Sequence, residues 1–156
     1  MSDGGVLLPG EGKGFPLPRA RIVFKVWGEH EPGNHDVAEF TAEPGFRGPQ
    51  PHIHRVHEEL FYVLEGEFDF LVGDEVARVG PGGLVNVPPG VVHDFRNVGS
   101  TPARWLGIHS PGFLVRYFDE IAALASSGNF SESTLHELRL KYDIDEVDAS
   151  WGRSLR

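Results

Sequence analysis

Cysteine is absent from all 156 residues, which excludes disulfides, thiolate zinc sites, iron–sulfur clusters and cysteine nucleophiles. Any metal must then be held by histidine, carboxylate or water. Positive charge is also scarce. Fourteen Lys and Arg stand against 23 Asp and Glu, and the net charge of -9 repels phosphate backbones and anionic lipid surfaces. Neither nucleic acid nor a membrane is an expected partner. No run approaches the ~20 apolar residues of a membrane span. In "MSDGGVLLPGEGKGFPLP" the apolar run is only Val6 to Leu8, with no basic residue ahead of it, unlike a signal peptide. The expected location is cytoplasmic.

Glycine and proline are abundant and punctuate the chain. Residues 1–18 read as a flexible N-terminal arm, ordered only where it finds a groove or a neighbouring subunit. From Arg19 to about His109 short β-prone runs follow one another: "RIVFKVW", "DVAEFTA", "PHIH", "ELFYVLEG", "EFDFLVG", "EVARVG", "GLVNVP", "HDFRNVG" and "ARWLGIH". Such spacing predicts an all-β sandwich or barrel, with a Gly73-Asp74 turn between two of the strands. After Pro111 the period changes to helical. One helix is predicted over about 112–127, with Leu114, Tyr117, Phe118, Ile121, Leu124 and Ala125 at helical spacing, and Gly128 as a stop. A second is predicted over 134–142, where Thr134 and Glu137 have capping-box spacing and Leu135, Leu138 and Tyr142 share a face. The pair is expected to cover an open side or end of the β core, giving a single domain over 19–147 and a tail over 148–156.

The stretch "HIHRVHEELFYVLEG", residues 52–66, concentrates the chemistry. Strand alternation sends His52 and His54 to one face, which makes half of a metal site. Glu59 shares its face with Phe61 and Val63, so a carboxylate joins the histidines if that face is the barrel interior. His93, after the Pro-Gly turn of "VPPGVVHDF", shares a face with Phe95 and Asn97. His57 and Glu58 fall in or beside the turn and read as solvated. His30, His35 and His136 read as surface residues. His109, on a face with Trp105 and Gly107, is either an ordinary strand-end histidine or a group reaching the pocket. Phe61, Val63, Phe70, Val87 and Phe95 either line a substrate pocket or fill the barrel.

The string resembles the first motif of the cupin family, HxHxxxxExxxxxxG, through His52, His54, Glu59 and Gly66. The second motif, GxxxxxPxGxxHxxxN, is met by Gly82, Pro88, Gly90, His93 and Asn97. One departure is Phe46, where a glycine is expected six residues before the first histidine; Gly45 and Gly48 flank it. With eight histidines in 156 residues, three specified histidine positions match by chance about once in 7,000 trials. The resemblance implies a cupin double-stranded β-helix, or jelly-roll barrel, commonly a homodimer. It also implies one divalent metal ion per chain on His52, His54, Glu59 and His93: iron, nickel, manganese or cobalt, with zinc also compatible. Such a set leaves coordination positions open, which suits chemistry rather than a closed structural site.

A sharper resemblance, to single-domain cupins described as quercetin 2,3-dioxygenase-like, rests on three features. They are "HIHRVHEELFYVLEGE", the short gap between motifs 52–66 and 82–97, and "HSPGFLVRYFDEIAAL" leading to a helix ending in "LKYDI". It implies a dioxygenase cleaving a flavonol-like or enol/diketone substrate with O2, an aromatic or enolic small molecule as partner, and Glu59 as both ligand and catalytic base. Two alternatives stand beside it. One is a non-oxidative isomerase, cyclase or decarboxylase using the same metal as a Lewis acid, and the other is a ligand-binding cupin without turnover.

Overall fold

The computed structural model describes residues 5–27, 35–112, 114–149 and 151, so His30 lies outside the described residues. All nine β-prone runs form strands, in the order β2(Ala20–Val26), β3(Asp36–Ala42), β4(His52–Ile53), β5(Glu58–Glu65), β6(Phe68–Val72), β7(Glu75–Val79), β8(Leu84–Val87), β9(His93–Arg96) and β10(Ala103–Ser110). Two short strands, β1(Lys13–Leu17) and β11(Asp145–Glu146), bracket them. They pair into a six-stranded sheet, β1-β2-β3-β10-β5-β8, and a five-stranded sheet, β11-β4-β9-β6-β7. The described pairings are antiparallel. The Gly73-Asp74 turn joins β6 to β7, where Val72 pairs with Glu75.

The barrel begins earlier than its composition suggests. Lys13–Leu17, placed by sequence in the flexible arm, pairs with β2, Phe15 opposite Ile22. Pro16 is tolerated because β1 lies at a sheet edge, where a missing N–H leaves no ladder bond unmade. Phe15 gives the strand its hold, with its ring 6.0 Å from Phe24 and 5.6 Å from Phe118.

Inward residues of both sheets interdigitate through aromatic rings. Phe40 stacks on Trp105 at 4.7 Å, Phe61 meets Trp105 edge-on at 4.9 Å, and Phe95 stands perpendicular to Trp105 at 5.3 Å. Rings placed this way gain ~0.5–1.5 kcal/mol per pair beyond the burial itself. Two motif residues act here as structure. Gly66 sits at φ 66°, and a Cβ there would come within 2.7 Å of the Ala103 side chain, so the β5–β6 turn can lie on β10 only with glycine. Asn97, 1% exposed, donates to Ala42 O and Thr101 O and accepts from Gly99 N, fastening the end of β9 across the barrel.

Helix α1(Leu114–Ser127) starts two residues later than its periodicity predicts. Val115 enters the barrel core, and Val115 N donates to the buried Asp36 carboxylate at 3.3 Å. Helix α2(Glu132–Lys141) starts two residues earlier than expected. Its capping box is formed by Ser131 and Thr134, not by Thr134 and Glu137: Ser131 Oγ accepts from Thr134 N, and Thr134 Oγ1 accepts from Ser131 N. Leu138, Tyr142 and Ile144 pack with Leu114, Tyr117, Ile121 and Leu124 in a second apolar cluster. Beyond α2 the chain turns back and pairs β11 with β4, and within the expected tail Trp151 donates to Asp94 and lies under the Arg96 guanidinium. No described helix is long and apolar enough to cross a membrane.

Candidate metal centre

Strand alternation brings the four motif residues together from both sheets. His52 lies on β4 and faces His93 on β9 in register. His54 follows β4 directly, and Glu59 projects inward from β5 in the row Glu59, Phe61, Val63. One ligating atom from each of His52, His54, Glu59 and His93 lies within 4.8 Å of every other. The imidazole rings of His52 and His93 are 4.3 Å apart, and those of His52 and His54 are 4.9 Å apart.

Each of the three histidines is oriented by a backbone carbonyl. His52 Nδ1 is 2.8 Å from Gln50 O, His54 Nδ1 is 2.7 Å from Asp143 O, and His93 Nδ1 is 3.0 Å from Val91 O. A carbonyl only accepts, so Nδ1 carries the proton and each neutral ring is left with its lone pair on Nε2. That is the arrangement in which protein imidazoles ligate metals. His54 Nε2 and His93 Nε2 are buried and have no aligned hydrogen-bond partner. They lie 3.5 Å and 2.9 Å from the Glu59 carboxylate, close in distance without the angles of a hydrogen bond. Buried lone pairs facing a buried carboxylate are costly unless a cation lies among them, and the donor set therefore fits a divalent ion.

The titration behaviour points the same way. Burial disfavours a charged Glu59, but the neighbouring imidazoles of His54, His93 and His109 outweigh it and hold the carboxyl well below its usual range. Burial, with His93 beside it, pushes His52 down to about 3. Burial likewise lowers His109, and it brings His57 down to about 4 with the His54 charge adding to the effect. His54 moves upward: burial opposes its charge, while Glu59 and the Asp143 carbonyl outweigh that penalty. An ionised Glu59 and a neutral His52 are the protonation states a dication needs, whereas the proton that Glu59 favours on His54 is one that a bound dication would displace.

One histidine sits differently from its sequence reading, and for another the structure selects between the two readings. His57 is not solvated: it is 5% exposed, its ring lies 5.3 Å from that of His54, and its Nδ1 is 3.7 Å from Asp143 Oδ2. The signal was present, since His57 shares the parity of Glu59 and Phe61 and simply continues the inward row. His109 is 4% exposed, pairs with Glu59 across β10 and β5, and brings Nε2 to 3.3 Å from Glu59 Oε1. It therefore touches a candidate ligand rather than an open pocket. Glu58, His35 and His136 are exposed, as expected.

The aromatic row belongs to the core. Phe61, Val63, Phe70 and Val87 are 0–2% exposed, so no water-sized space opens onto them, and they fill the barrel beneath the histidines. Phe95 is partly exposed but packs against Phe40, Phe61 and Trp105. The site residues that sequence reasoning missed are Asp36 and Asp143. Asp36 pairs with His109 in register, and Asp143 accepts from His54. Neither lies in a motif, and both reach the site through pairing of distant segments.

Two antiparallel sheets with a buried histidine–glutamate cluster between them have the architecture of the cupin fold. Residues 38–109 match the family model described as Cupin domain, so the chain is a cupin-fold protein with its cupin domain there. Solved structures with this architecture include KdgF from Halomonas sp., 20% identical, with a TM-score of 0.60 over 70% of this chain and 96% of that one. A second is an RmlC-like cupin from Shewanella frigidimarina, 21% identical, with a TM-score of 0.60 over 70% of this chain and 93% of that one. In sequence, 67 residues (43% of this chain) are 31% identical to quercetin 2,3-dioxygenase of Bacillus subtilis and cover 20% of it. A longer match of 120 residues (74% of this chain) is 30% identical to mannose-1-phosphate guanylyltransferase RfbM of Salmonella typhimurium and covers 24% of it. The chain thus spans a quarter or less of the length of these two curated relatives.

Proposed function

We propose that this chain is a metal-dependent cupin oxygenase that uses O2 to cleave a flavonol-like or enol/diketone substrate. The observation that carries the reading is the convergence of three Nε2 lone pairs and one carboxylate within 4.8 Å, each imidazole fixed from behind by a carbonyl. A divalent iron, nickel, manganese or cobalt ion bound there would supply Lewis acidity towards an enol hydroxyl and access to O2 chemistry. His52, His54, Glu59 and His93 would hold such an ion while leaving it room for further ligands.

Glu59 is the residue placed to take the hydroxyl proton. Its carboxylate is held ionised, and His109 Nε2 lies 3.3 Å from Oε1, close enough to orient that oxygen once the proton arrives. Beneath it, Phe61 and Trp105 form a dry floor that excludes water from the reacting end of the substrate. The functional unit proposed is a homodimer, and sedimentation equilibrium would report twice the chain mass.

A second reading is favoured by the longer match to RfbM, a sugar-nucleotide enzyme by name: a non-oxidative isomerase on a sugar derivative, with Glu59 moving a proton between carbons. The experiment that separates them is elemental analysis of the purified protein, followed by oxygen-electrode assays with flavonols and β-diketones and, in parallel, sugar-phosphate isomerisation assays. O2 uptake proportional to bound metal is expected. Metal-loaded protein that consumes no O2 with any of these substrates, yet isomerises a sugar phosphate, would replace the first reading with the second.

A further inference from the structure

We infer that the segment following α2, residues 143–147, is a clamp that positions the metal ligand His54, with Asp143 as its positioning residue. This inference rests on the metal-site reading above. The segment lies outside the stretch that matches the cupin model, yet four of its five residues attach to the ligand strand or the residues flanking it. Asp145 pairs with Ile53 and Glu146 with His52 in the β11–β4 ladder, and Val147 N donates to Pro51 O at 2.9 Å. The Arg55 guanidinium bonds the Asp145 carboxylate, and Arg139 on α2 ties back to Glu146 at 3.0 Å.

Asp143 is where this clamp meets the chemistry. Its carbonyl oxygen accepts from His54 Nδ1 across 89 positions of sequence, and that bond leaves Nε2 as the ligating atom. Its carboxylate accepts from Val56 N at 2.8 Å, holding the loop that follows His54, and lies 3.7 Å from His57 Nδ1. The backbone of Asp143 is left-handed, with φ 58°, a conformation that Asp, Asn and Gly adopt more readily than other residues. That conformation and the side-chain tether to Val56 together aim the carbonyl at the imidazole. The helix pair at the end of the chain therefore has a second use besides covering the barrel: it delivers an acceptor to the metal ligand.

The test compares the full-length parent with Asp143→Gly, which keeps the backbone conformation and loses the tether, and Asp143→Asn, which keeps both the conformation and an acceptor oxygen. Co2+ affinity is measured by calorimetric titration, the visible absorption of the Co2+-saturated protein is recorded, and the thermal midpoint of the metal-free form serves as a folding control. Full loss of the hydrogen-bond partner behind a ligating histidine weakens metal binding ~10- to 100-fold, and Asp143→Gly, which keeps the carbonyl but frees it from its tether, falls at the low end of that range. The expected result is a weakening of about 10-fold and a shifted Co2+ spectrum in Asp143→Gly, with parent-like values restored in Asp143→Asn. An Asp143→Gly protein with the parent's affinity and spectrum overturns the clamp while leaving the metal site standing. A parent that binds no Co2+, Ni2+, Mn2+ or Fe2+ overturns the site reading, and the clamp with it.

Discussion

Replacing Glu59 by Gln tests ligand and base with one near-isosteric change. The carboxylate is 6% exposed and lies 2.9 Å from His93 Nε2, 3.3 Å from His109 Nε2 and 3.5 Å from His54 Nε2. Removing one partner of a buried, paired charge costs ~3–5 kcal/mol, and each ~1.4 kcal/mol is a factor of ten in affinity. Metal binding in Glu59→Gln should therefore weaken ~10²- to 4 × 10³-fold, while the three imidazoles still hold the ion when it is supplied in excess. Turnover should fall further than occupancy. A positioned general base contributes ~10²–10⁴-fold, and an amide cannot accept the proton. The assay is calorimetric metal titration followed by O2 consumption at saturating metal, expressed per bound ion. Full activity per bound ion would refute the base assignment, and unchanged metal affinity would refute Glu59 as a ligand.

In metal-free protein, stability should fall on acidification. His52 at about 3, His57 at about 4 and the lowered His109 all prefer the neutral form in the fold, so their contribution is complete above 6.5 and is lost as pH falls towards those values. His54, raised, works the other way but stands alone against three; a thermal midpoint that is flat or rises from pH 6.5 to 4 would contradict this. Asp94 has the opposite sign. Burial raises it to about 7 against bonds from Phe95 N and Trp151 Nε1, so its contribution is complete below 3.8 and lost as pH rises through 7. Asp94→Asn should accordingly gain on the parent between pH 4 and pH 8 in thermal melts, and a constant difference would count against it. Phe61→Ala should cost ~3–5 kcal/mol in urea unfolding, because a ring in contact with Phe70, Phe95 and Trp105 leaves a cavity that the two packed sheets cannot collapse. A saturating divalent ion at 100 times its dissociation constant should add ~2.7 kcal/mol, read as a rise of roughly 5–10 °C in melting temperature; no shift with any of iron, nickel, manganese or cobalt would argue against the centre.

Parity and punctuation made most of the fold legible. Each of the nine β-prone runs has glycine, proline or aspartate at one end at least, and in β5 and β10 the buried residues are those that alternation selects. Legibility failed where composition masked a pattern. "KGFPL" carries an inward Phe15 between Gly14 and Pro16, and only its place at the sheet edge makes that sequence a strand. The α2 start was misplaced for a related reason. Thr134 does bond as a cap residue, but as the third position of a box begun by Ser131, and the choice between two overlapping boxes depends on where the preceding loop leaves the barrel.

In the site, the difference between the residues that could be read and those that could not is one of range. His52, His54 and Glu59 lie within eight positions, and His93 is placed by a local Pro-Gly turn, so periodicity alone assigns their faces. His57 was lost to a local rule too, because turn residues are usually solvated. What its Nδ1 meets inside is Asp143, a neighbour 86 positions away that no pattern around residue 57 can announce. The same holds for Asp36 beside His109 and for the carbonyl behind His54. The ligating atoms of this centre are thus written in short motifs, whereas the groups that fix their orientation arrive through strand pairing and through the return of the chain after α2. A change far from both motifs, at the end of a helix that touches no metal ligand by sequence, is therefore expected to be felt at the metal.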